Sequence, residues 1–173
     1  MRKGLNFFGG VRILLKVNII CLGKLKEKYI KDGIAEYTKR LSRFCNLNII
    51  ELPDEKIPDN ATDGEMKKVI SLEGEKIKKH ISDQSFKIAL CVEGKQLSSE
   101  DFASKINNVT VLGKSEITFV IGGSLGLSED IKKMCDMRLS FSMFTYPHML
   151  MRLILVEQIY RAFKINSGEE YHK

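Results

Sequence analysis

EITFVIGGSLGLSEDIKKMCDMRLSFS, residues 116–142, is the stretch on which the fold class turns. EITFVI (116–121) is an apolar run of strand length that stops at Gly122-Gly123, residues 128–135 have the length and polarity of a short helix, and MRLSFS (137–142) returns to strand character. The same alternation extends upstream. VNIICL (17–22), ended by Gly23, reads as a strand. Residues 25–43 place Ile30, Ile34, Tyr37 and Leu41 on one face of a helix. LNIIEL (47–52) is a strand stopped by Pro53, and the proline-containing PDEKIPDNATD after it is the longest loop. A Lys/Glu-rich helix follows over 64–81, then a strand FKIALCV (86–92) before Gly94, then a helix from Ser98/Ser99, whose hydroxyls can cap it, to about Asn108. Downstream, Pro147 pre-sets the first turn of a final helix reaching about Asn166. Strand and helix alternate five times without repeats, which predicts an α/β fold: a mostly parallel sheet with helices on both faces.

The 173 residues suit one domain with at most a short appendage. Cys21, Cys45, Cys91 and Cys135 include no CxxC pair, which argues against a zinc ribbon, a redox dithiol or a disulfide scaffold, and points to a reducing cytoplasm. No stretch resembles a membrane span, and no metal-ligand pattern stands out. The net charge of +6 is modest, half of it comes from Arg2, Lys3 and Arg12, and residues 61–120 are neutral. A local basic patch can touch nucleic acid, but global charge does not require it. MRKGLNFFGGVRIL (1–14) starts like a signal peptide, yet Asn6, Gly9, Gly10 and Arg12 interrupt its apolar run. It reads as a non-structural extension, with the domain proper at 15–173.

In open parallel sheets ligands bind outside the carboxyl ends of the strands. Three segments lie there: VEGKQ (92–96), GGSLG (122–126) and SMFTYP (142–147). The dinucleotide fingerprint fails, because Ser124 stands where its second glycine belongs. Gly113-Lys114-Ser115 mimics the end of a P-loop, but Asn108 replaces the required glycine and the segment precedes a strand. What remains is glycine after a strand, which admits either a closely approaching ligand or simply a tight turn.

The final helix is apolar over most of its circumference: Met149, Leu150, Leu153, Ile154, Leu155, Val156, Ile159, Tyr160 and Phe163, against one polar stripe of Glu157, Gln158, Arg161 and Lys164. Such a helix must be covered on nearly all sides. A second subunit is the simplest cover, a deep position in a monomer core the alternative. Arg152 stands away from the polar stripe, with His148 one turn before it. A cation among apolar residues is costly unless paired, so Arg152 is expected to face a cleft that holds an anion or developing oxyanion, with snorkelling at the helix edge as the bland alternative.

FVIGGSLGL (119–127), LSFSMFTYPHMLMRLILVEQIYRAFKI (139–165) and YHK (171–173), together with CLGKLKEKY (21–29) and ELPDEKIP (51–58), resemble the RlmH family, SPOUT-superfamily methyltransferases of bacterial large-subunit ribosomal RNA. The resemblance runs from about residue 15 to 173. The first fourteen residues have no counterpart, and Cys91 stands where an acidic residue is expected. It implies a C-terminal trefoil knot, a homodimer, S-adenosylmethionine as cofactor, and methylation of N3 of a pseudouridine in 23S rRNA on the assembled ribosome. The cofactor site it implies comprises Leu90, Gly122, Phe141, Ser142, Met143, Phe144, Thr145 and Tyr146. In the reaction, Arg152 would steady charge spreading onto the carbonyl oxygens, His172 would take the N3 proton directly or through water, and Tyr171 would pack beside the base, from a tail reaching the partner subunit. The competing classes are a non-catalytic ribosome-binding factor of the same fold and a nucleotide-dependent oxidoreductase, the latter disfavoured by the missing fingerprint.

Overall fold

The structure, a computed structural model, describes residues 7–8, 11–12 and 14–169. Five parallel strands form one sheet: β3 (Leu15–Leu22), β4 (Cys45–Leu52), β5 (Phe86–Gln96), β6 (Glu116–Ile121) and β7 (Met137–Ser140), in the order β4-β3-β6-β5-β7. The helices between them are α1 (Lys28–Leu41), α2 (Asp63–Lys78), α3 (Ser99–Val111), α4 (Glu129–Met134) and α5 (His148–Asn166). The expected α/β layering is therefore present, and the sheet is wholly parallel. Upstream, Phe7–Phe8 (β1) pairs antiparallel with Val11–Arg12 (β2) in a separate ladder.

The apolar run of β3 follows from burial of both sheet faces. Val17, Ile19 and Cys21 join Ile117, Phe119, Phe102, Ile106, Leu155 and Ile159 in the core beneath α1, α3 and α5. Ile20 and Leu22 join Val120, Ala89, Ile77 and Ile131 in a second core beneath α2 and α4. Helix starts obey local chemistry: Thr62 and Glu65 form a reciprocal capping box for α2, and the Ser98 hydroxyl accepts the Asp101 N–H at 3.0 Å to start α3. All four cysteines are free thiols.

One expectation needs correction. β5 does not stop before Gly94. It pairs Ile88–Leu90 with Met137–Leu139, bulges, and resumes with Lys95 opposite Leu139 and Gln96 opposite Ser140. Gly94 permits this, since a Cβ there would lie 2.5 Å from the Leu139 carbonyl carbon. The bulge sits in the C-terminal half, to which the resemblance assigns the knot. α5 finds part of its cover within the chain. Leu155, Val156, Ile159, Tyr160 and Ala162 are buried within their own chain, because α5 lies between α1 and α3 and is covered from three sides. The rest of the helix is half-exposed, including Leu150, Leu153, Ile154, Glu157, Arg161 and Phe163.

Candidate active site

A cleft of about 670 Å³ opens at the carboxyl ends of β5, β6 and β7. Its walls come from three segments where the backbone leaves the sheet. The β5 bulge contributes Cys91, Val92 and Glu93, beside Leu90. After β6, the chain turns at once through Gly122 to Leu127. The Gly126 N–H donates to the Gly123 carbonyl at 3.1 Å, and Gly126 has a φ of 82° that favours glycine. A Cβ on Gly122 would sit 2.6 Å from the Gly126 backbone, so that glycine is required by the turn itself. The third wall is the segment after β7. There the Ser140 hydroxyl donates to the Ser142 carbonyl at 3.0 Å, and the Phe144 N–H donates to Ser142 Oγ at 3.0 Å.

Of the residues implied for the cofactor, the structure brings Leu90, Gly122, Phe141, Ser142, Phe144, Thr145 and Tyr146 onto this one cleft. Met143 is not on its wall and is 84% exposed. Glu93 and Lys132 pair across the rim at 2.5 Å. Burial raises the Cys91 thiol above its ordinary value, which leaves it a neutral wall residue. His148 and Met151 close the side nearest β3, where residue spacing alone did not place a wall. Burial, then the Arg152 charge, lowers the His148 pKa against a smaller opposing effect of Asp54, so its imidazole is neutral at pH 7. The signal that could have revealed His148 is its place at the start of a helix whose preceding proline follows the third loop.

Arg152 does not face the cleft. It is fully buried and paired: Nη1 donates to Glu51 Oε1 at 2.8 Å, and Nη2 donates to the carbonyls of Gly23, at 2.7 Å, and Leu22. The anion inferred from its position is Glu51, carried on the neighbouring strand β4. Its role is therefore to hold the turn after β3. Tyr171 and His172 lie outside the described residues.

The cleft suits a ligand with a flat apolar part and a polar, flexible part. Leu90, Phe144 and Tyr146 offer apolar and aromatic surface, and the glycine and serine loops offer backbone N–H and C=O groups. S-adenosylmethionine has that composition, and the volume lies within the roughly 300–1,000 Å³ of small-molecule sites.

Residues 15–172 match the family described as "Predicted SPOUT methyltransferase", and the chain belongs to the SPOUT methyltransferase family. It is thus an enzyme of S-adenosylmethionine-dependent methyl transfer, in the branch its sequence resembles. Among its relatives is "Ribosomal RNA large subunit methyltransferase H" of Streptococcus equi subsp. zooepidemicus, 55% identical over 159 residues that cover 92% of this chain and 100% of the relative. Proteins of the same name from Streptococcus thermophilus and Levilactobacillus brevis are 56% and 54% identical, each over 92% of this chain and 100% of their own length.

Proposed function

We propose that this protein, in the cytoplasm and as a homodimer, methylates N3 of a pseudouridine in the 23S rRNA of the assembled ribosome. One observation carries the reading: the segments that bear the resemblance, GGSLG and the run after β7, are the segments that wall the cleft.

S-adenosylmethionine, when bound, supplies an electrophilic methyl group on a sulfonium, so the protein's task is to hold it, orient the base and take up the N3 proton. Leu90, Phe141, Phe144 and Tyr146 hold the apolar part, and the backbone at Gly122 and 142–145 the polar part. His172 takes the proton, and Tyr171 packs beside the base. Arg152 acts at a distance, by keeping the turn after β3 in place beside His148.

The run of α5 away from the cleft supports a site shared between subunits. α5 starts at the cleft and its 19 residues rise about 28 Å. At its far end Glu169 is pinned by Arg43, at 2.8 Å, and by Lys164. A tail that continues from this end, a helix length away from where α5 meets the cleft, acts in this reading on a second copy.

The test is transfer of labelled methyl from S-adenosylmethionine to ribosomes of a strain lacking this gene, with the modified nucleotide read by mass spectrometry. One added methyl at N3 of a 23S pseudouridine is expected. Binding of ribosomes without cofactor binding or methyl transfer would leave a non-catalytic ribosome-binding factor instead.

A further inference from the structure

We propose that the segment Lys24–Lys31, which leads from β3 into α1, is a phosphate-binding clamp that docks the RNA substrate beside the cleft. The inference rests on the rRNA methyltransferase reading and adds to it a surface and its mode of contact.

The segment KLKEKYIK holds four lysines against one glutamate. Lys24, Lys26, Lys28 and Lys31 are all exposed. Lys28 pairs with Asp32 at 2.7 Å, whereas Lys24, Lys26 and Lys31 have no acidic partner among the described residues. Tyr29 stands among them 67% exposed. Unpaired cations interleaved with an exposed ring are the composition that holds single-stranded or looped RNA, the cations on phosphates and the ring on a base. The local sequence also runs against helix stability. Lys28 and Lys31 occupy the first turn of α1, which holds no acidic residue, and its N-cap Glu27 makes no side-chain cap. A cation at that end disfavours the helix, and Lys31, unlike Lys28 with its Asp32, has no ion pair among the described residues to offset this.

The clamp is rigidly placed. The buried Arg152 donates to the carbonyls of Leu22 and Gly23, Glu51 accepts from both Arg152 and the Leu25 N–H (3.0 Å), and the Gly23 N–H donates to the Leu52 carbonyl at 2.8 Å. Burying an ion to fix an exposed turn makes sense where that turn must meet something in register. It is also adjacent to the chemistry: a Cβ on Gly23 would lie 3.5 Å from Nε2 of His148, a wall of the cleft. Charge complementarity selects the occupant, the sugar-phosphate backbone flanking the target nucleotide.

The experiment compares the full chain with Lys24→Ala/Lys26→Ala and with Tyr29→Ala and Tyr29→Phe. Binding to ribosomes and to protein-free 23S rRNA is measured over a salt series, with S-adenosylmethionine affinity and thermal melting as controls. The double lysine variant should bind both RNA probes at least tenfold more weakly, with a salt dependence of log K shallower by about 2. Its KM for ribosomes should rise at unchanged kcat. Tyr29→Ala should weaken binding without changing the salt slope, and Tyr29→Phe should restore it. Folded, cofactor-binding lysine variants with wild-type RNA affinity and slope would overturn the clamp alone. Loss confined to ribosomes, with 23S rRNA binding intact, would put a ribosomal protein opposite the patch and overturn the RNA assignment. A wild-type chain that binds cofactor but neither RNA probe would overturn the rRNA reading, and the clamp with it.

Discussion

Glu73 is a buried carboxylate with an unpaired oxygen. It is 4% exposed, its Oε1 accepts the Glu55 N–H at 3.0 Å, its Oε2 has no partner, and it lies against Gly123 at the back of the cleft loop. Burial, helped by Asp54 and Glu55, raises its pKa in spite of the Glu55 N–H and Lys76. The folded state therefore holds this proton more tightly than the unfolded chain, and the stability it contributes is present below the ordinary carboxylate pKa of about 4.3 and lost as pH rises through the raised value. Glu73→Gln should leave the melting temperature unchanged near pH 4 and raise it at pH 7–8, read from melting curves across that range. Gly122→Val tests the opposite side of the same loop. With the Gly126 backbone 2.6 Å from the added Cβ, the turn must open, and cofactor affinity in calorimetry should fall tenfold or more, about 1.4 kcal/mol. The need for glycine here was legible in the sequence; that the clash is with the turn's own backbone was not, because it depends on Gly126 folding back. Arg152 shows the same limit. Its cost among apolar neighbours, and hence its need for an anion, followed from α5 alone, but the anion is supplied by Glu51, 101 residues earlier, and helical spacing says nothing about which strand lies beneath.

Among the elements, α5 separates what periodicity can and cannot decide. Its bounds and its polar stripe were legible from Pro147 and from the Glu157–Arg161 spacing, which the structure closes at 2.6 Å. How its apolar circumference is covered was not, since this depends on α1 and α3 flanking it. For the proposed dimer, the half-exposed residues of α5 are the candidate surface. Ile154→Glu should convert the dimer to a folded monomer in light scattering, whereas Leu155→Glu, which sets an ion in the chain's own core, should lose folded protein altogether. β5 gives a parallel lesson: Gly94 reads as a strand end, yet it is a place where backbone approaches backbone, and the bulge it permits is one cleft wall.

At the scale of the whole molecule the proposed shared site yields a complementation test. A chain lacking residues 171–173 should remain dimeric, bind cofactor with most of its affinity, and transfer methyl at least a hundredfold more slowly, within the range for losing an acid–base group. Mixed with Gly122→Val subunits it should regain one working site per heterodimer. If such mixtures stay inactive while both parents are dimeric, the tail acts within its own chain. The sheet order carries a different consequence, one of timing. β3 is an interior strand between β4 and β6, and Lys16 finds its partner Glu116 a hundred positions later. At about 5–20 residues per second, a ribosome making this chain takes roughly 5–20 s to add those hundred residues. For that interval VNIICL presents one bare, apolar strand edge to everything else in the cell. Nascent chains stalled before residue 116 should therefore depend on chaperones to stay soluble, and chains released after residue 121 much less so.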